Sequence, residues 1–188
     1  MDHLEEGFKL LAANEGGDEL LKAYQKYLKK MSTQPATAKH HHNYPGGILD
    51  HLQQSCRVAN NIYANFVDEV GLELNFGIMS VLKVLFVAAL EKVDKYDVVE
   101  RPGKSSQITI ASDWTVDPYA RAVSVAAKEN IFLNEDELHA LTFIRGGWSE
   151  FNKYSVDLSA LASIVHAADL VASTFFATKP QTNGDAAL

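Results

Sequence analysis

Four of the seven histidines stand close together. His40, His41 and His42 are consecutive in the segment KHHHNYPGGILDH, and His51 ends it. Imidazole titrates near neutral pH and is the commonest nitrogen ligand for metals, so this density has two chemical readings. One is a polar loop whose rings cap and hydrogen-bond. The other is a pocket wall, with Lys39 and His41 facing an anion and His51, one turn into the next helix, ligating a metal through a neutral ring nitrogen. A second group, His166-Ala-Ala-Asp169, puts an imidazole and a carboxylate three positions apart on one helix face. A carboxylate in an otherwise apolar helix is costly to bury unless a cation or hydrogen-bond donors meet it. Asp169 is therefore either half of a structural pair with Arg or Lys, or a ligand.

Such residues need a scaffold, and 188 residues at 20.7 kDa suffice for one domain with a sizeable core. With 47% hydrophobic and 22% charged residues, the chain has the make-up of a folded globular protein rather than a disordered or repetitive one. Apolar residues recur at helical spacing over residues 18–31, from Ile48 to about Val70, and over a broad apolar stretch from Phe76 to Tyr96. Asp97 to Val116 reads as a loop with at most a short hairpin. Asp117-Pro118 caps a helix over Tyr119 to Asn130, Asn134 caps another from Glu135 to about Arg145, and a last helix covers about Leu158 to Ala177. The expectation is a single all-α domain over residues 1–177, of six or seven helices, with a flexible tail over 178–188.

Composition also narrows the function. The net charge of -7 argues against extensive nucleic-acid binding or docking on an anionic membrane and leaves room for a local basic pocket. No stretch reaches the roughly 20 apolar residues of a membrane span, and the acidic N-terminus does not look like an export signal. The single cysteine, Cys56, excludes a disulfide framework, reads as a small helix-packing residue and fits a cytoplasmic location. No P-loop, dinucleotide fingerprint or nucleophile elbow is present.

Four segments, PATAKHHHNYPGGILDHLQQSCRVAN, LFVAALEKVDKY, LTFIRGGWSEFNKYS and IVHAADLVAS, resemble in order the motifs of HD-domain phosphohydrolases of the small bacterial and phage type. The resemblance spans Gln34 to Ser173. It implies a helical HD-type bundle, host-cell cytoplasm if the chain is phage-encoded, and a cleft in which His51 and Asp169 are metal ligands. The family's signature His-Asp pair falls on Glu91-Lys92, and the glycine of that motif falls on Asp94. Its later histidine falls on Arg145, with Gly146 where the family has Asp.

Only His51 and Asp169 thus remain of the four usual ligands. Glu91 offers an oxygen, but Lys92, with Arg145 near, puts positive charge where the dication would sit, so metal binding is expected to be weak or absent. The alternative for Glu91 and Lys92 is a solvated helix end with ordinary surface charges. The resemblance then implies a pseudo-enzyme with no resident cofactor. Lys92 becomes the counter-ion of Asp169, and Lys39, His41 and Arg145 hold a nucleotide or other phosphate, or the old cleft takes a protein partner. Trp148 is a wall or stacking residue, or else a local core plug. Asn152 and Lys153 match family positions on the substrate side. A second reading is an active phosphohydrolase on a nucleotide or nucleic-acid phosphoester, using Mn, Mg, Ni, Co or Zn on His51, Glu91 and Asp169, with His41 or His166 as further ligands. A third is a purely structural or interaction module. Sequence leaves the oligomeric state open.

Overall fold

A computed structural model of the chain describes residues 17–69, 71, 73–101, 104–110, 117–144 and 158–175. Among them the chain forms six α-helices and one antiparallel hairpin. They are α1 (Gly17–Met31), α2 (Gly47–Ala64), α3 (Ile78–Leu90), β1 (Tyr96–Arg101), β2 (Lys104–Ile110), α4 (Pro118–Lys128), α5 (Glu135–Phe143) and α6 (Ala160–Phe175). The helical class expected from periodicity is present, and within the stretch read as a loop with at most a short hairpin the described residues form the hairpin. Tyr96 pairs with Ile110, and the register slips between Val99 and Arg101. No described helix is long and apolar enough to cross a membrane.

α3 occupies the centre because it is apolar nearly all round. Its Val81, Val84, Phe86 and Val87 are fully buried, and it packs against α2, α4, α5 and α6. Tyr24 of α1 meets Phe86 with ring centroids 6.1 Å apart, one of the contacts that fastens the first helix to the core. α6 presents Ala162, Ala168 and Ala172, all fully buried, and these small residues let its backbone pack closely on α2 and α5. Cys56 is a buried packing residue of α2.

Helix starts follow their caps. Asp117 accepts the Ala120 N–H at 3.0 Å, with Pro118 opening α4. Asn134 and Glu137 form a reciprocal capping box at the head of α5. Helix ends depart from the periodic pattern. α3 stops at Leu90 rather than Tyr96, because residues 91–94 turn and Asp94 takes a positive φ of 62°. Gln34 holds that turn from outside: its side-chain oxygen accepts the Asp94 N–H at 2.9 Å, while its amide nitrogen and Lys30 donate to the Asp94 carboxylate at 3.0 and 2.6 Å. α2 ends at Ala64 and continues as a π-turn over Asn65–Glu69. Arg145, Trp148, Asn152, Lys153 and the expected tail over 178–188 lie outside the described residues.

Candidate functional site

The histidine segment is tied to the head of α2 by backbone bonds that local sequence alone does not reveal. The Ile48 N–H donates to the Gln34 carbonyl at 3.2 Å, and the Ala36 N–H donates to the His42 carbonyl at 2.9 Å. The Thr37 hydroxyl donates to the His41 carbonyl at 2.7 Å and accepts the His40 N–H at 3.1 Å. Two glycines make this approach feasible. Gly46 has φ of 88°, and a Cβ on Gly47 would overlap the His42 carbonyl. His42 itself is turned by a φ of 52°, a left-handed value that His adopts more readily than most residues. The turn sends its ring inward, where it is fully buried.

Three imidazoles meet as a result. One nitrogen from each of His41, His42 and His51 lies within 4.8 Å of its counterparts, and the ring centroids are 4.9 to 5.3 Å apart. Nε2 of His42 lies 2.6 Å from the Gln54 side-chain oxygen, an acceptor, so that nitrogen carries the proton and Nδ1 carries the lone pair. Nδ1 of His41 stands 3.1 Å from that Nδ1 and donates its N–H to it. Nε2 of His51 lies 2.9 Å from Asp169 Oδ1, while His51 Nδ1 is buried and has no hydrogen-bond partner. Burial, then the neighbouring His51 and Lys92, push the His41 pKa down to about 3. Burial and Lys92 push His51 down to about 4 against the opposing pull of Asp169. His51 is therefore neutral at neutral pH and donates Nε2–H to the carboxylate.

Asp169 is the carboxylate partner of this ring. Burial alone would raise its pKa, but the His51 bond and the charge of Lys92 outweigh that and hold it at about 2. His51, Lys92 and Asp169 line a small internal pocket with Ser55 and Ile144. Beyond it lies a cavity of about 650 Å³, lined by His40, His41, Lys92, Lys95, Tyr96, His166 and Asp169 among others. His166 donates Nδ1–H to the Ile144 carbonyl at 3.0 Å, which leaves its Nε2 as the nitrogen available to other partners.

Of the residues singled out by sequence, His41, His51, Lys92 and Asp169 come together, and His166 joins them at the cavity. Lys39 does not: it is exposed and lines neither cavity. Lys95 lines the larger cavity instead. Glu91 also lines neither cavity. It is 1% exposed and accepts from Lys95 at 2.9 Å, so the alternative of a solvated surface charge is also corrected. The HD-type ligand set implied by resemblance does not fit here, since its Glu91 member is engaged by Lys95 and Lys92 supplies a cation beside Asp169. His42 and Gln54 were missed as well; the triple histidine was a visible signal for His42, but its inward turn was not.

Comparison with known proteins finds no matching family model, no matching curated protein and no matching solved structure.

Proposed function

We propose that the chain is a cytoplasmic pseudo-enzyme of the HD-domain type, whose cleft binds a nucleotide-sized phosphate ligand without hydrolysing it. The observation that carries this reading is Lys92, which stands at the wall shared by the internal pocket and the larger cavity and acts on Asp169 as a charge. A fixed cation there supplies charge to a phosphate but activates no water, the task a metal performs in hydrolytic sites. The cavity's size lies within the ordinary range for small-molecule pockets. The charged side chains of its lining are Lys92, Lys95 and Asp169, with Lys95 paired to Glu91, in a chain of net charge -7. Asp94 adds support, because its positive φ falls where the resemblance places a glycine.

The test is titration calorimetry with pyrophosphate and with adenosine and guanosine monophosphates, alongside a phosphate-release assay with each of Mg, Mn, Co, Ni and Zn. Expected are saturable binding, at least a tenfold loss of affinity in Lys92→Met, and no turnover. Absence of binding by the folded chain, or metal-dependent turnover that depends on Asp169, would overturn the reading.

A further inference from the structure

We propose that His41, His42 and His51 form a three-imidazole site for one borderline divalent ion of the zinc or cobalt type, with Asp169 and Gln54 holding the far nitrogens of two of the rings. This site differs from the HD-type ligand set, in which Glu91 and Asp169 are ligands beside His51, and does not rest on the anion reading.

The geometry points there in three steps. First, the ring nitrogens converge from two directions, a pinned loop and the first turns of α2, with one nitrogen of each ring inside 4.8 Å of the others. Nitrogens bound to one tetrahedral zinc at about 2.0–2.1 Å lie roughly 3.3 Å apart, and the His41 and His42 Nδ1 atoms are 3.1 Å apart, joined by a hydrogen bond that the ion replaces as the His41 Nδ1 proton passes to solvent or to the ring's other nitrogen. Second, the outer partners set the tautomers in the way metal-ligating histidines require, each far N–H given to a carboxylate or carbonyl oxygen. His42 gives Nε2–H to Gln54 and His51 gives Nε2–H to Asp169. Third, the nitrogen this leaves on His51, Nδ1, has no hydrogen-bond partner on a side chain only 4% exposed. A buried lone pair without a donor is costly, and an ion is a partner that satisfies it.

Imidazole donors favour Zn, Co or Ni over Mg or Mn. His41 also lines the larger cavity, so the ion adjoins it and exchanges with solvent from that side. The charged neighbours act in opposite directions: Lys92 and Asp169 line the same small pocket as His51, and the first repels a dication while the second attracts it. Lys92 therefore weakens a dication that Asp169 favours.

The experiment uses the full chain without an affinity tag, stripped with a chelator and titrated with Zn and with Co. Metal content is measured by mass spectrometry, and coordination by the visible absorption of Co. Expected are one ion per chain, a tetrahedral Co spectrum and losses of at least a hundredfold in His41→Ala and in His42→Gly, the latter keeping the left-handed backbone. Asp169→Asn should weaken binding by about 10- to 100-fold as an outer partner. Lys92→Met should tighten it at least tenfold, the opposite of its effect on phosphate ligands, so failure of one proposal is distinguishable from failure of the other. A chain that is folded by circular dichroism and retains no ion overturns the site. So does an ion that survives both His41→Ala and His42→Gly but is lost in Asp169→Asn, since that places it directly on Asp169.

Discussion

At the scale of single residues, direction mattered more than identity. His41, His51 and Asp169 were legible as candidates because their types and spacing are chemical, Lys92 only through the family resemblance, and they do meet. His42 was legible only as a neighbour of His41; its role depends on one backbone angle, φ of 52°, which no side-chain pattern encodes. Lys39 and Glu91 failed for the converse reason. Both have suitable chemistry, but Lys39 is exposed and Glu91 is held by Lys95 four positions on. Gly47 tests how tightly the cluster depends on backbone approach. Gly47→Ala presses a methyl group on the His42 carbonyl and crowds the Ala36 amide. These are backbone atoms that cannot rotate away, so the cost falls near the upper end of the overpacking range, about 3 kcal/mol. Urea unfolding of the variant should show a lower midpoint, with a loss well above the half kcal/mol of an ordinary surface change.

Elements were more legible at their starts than at their ends. A start is written locally: Asn134 followed three residues later by Glu137 is a capping box in sequence and in structure. The end of α3 is written elsewhere, in Gln34 and Lys30, which lie some 60 residues before the Asp94 they capture. Periodicity therefore ran the helix on to Tyr96, while tertiary bonds closed it at Leu90. The head of α5 supports a graded prediction. Asn134→Ala removes the bond to the Glu137 N–H and should cost about 1 kcal/mol. Glu137→Ala removes more, because this fully buried carboxylate also accepts from Lys83 at 2.8 Å and from the Asn134 N–H at 3.0 Å. Leaving Lys83 without its buried partner should bring the loss to about 3 kcal/mol. Denaturant melts should rank the two variants in that order with little change in slope; equal losses would mean that the Lys83 bond contributes nothing.

For the molecule as a whole, a helical domain followed from apolar periodicity and composition, but the way distant segments are joined did not, since long-range polar contacts leave no periodic trace. The joint between α1 and the end of α4 is an example. Lys26 donates to both oxygens of Glu129 at 2.8 and 2.7 Å, and the Tyr27 hydroxyl donates at 2.8 Å, across more than 100 residues. Burial raises the pKa of Glu129, but the bonds from Lys26 and Tyr27 outweigh it and hold the folded value below the ordinary one. Burial and the same carboxylate push Tyr27 up to about 12. A carboxylate with a depressed folded pKa binds fewer protons in the folded than in the unfolded state, so it favours folding when ionised. That contribution is complete above the unfolded value of about 4.3 and disappears as pH falls through the depressed folded value. Glu129→Gln should therefore be less stable than the parent by a constant amount from neutral pH down to about pH 5, with the gap narrowing below that. Lys26 is 55% exposed, so part of the gap should also shrink in high salt. Thermal unfolding of both proteins from pH 7 to pH 3 measures this directly. A gap that stays constant to pH 3 would mean that Glu129 keeps its ordinary pKa in the fold, and that the joint between α1 and the end of α4 is made by packing rather than by charge.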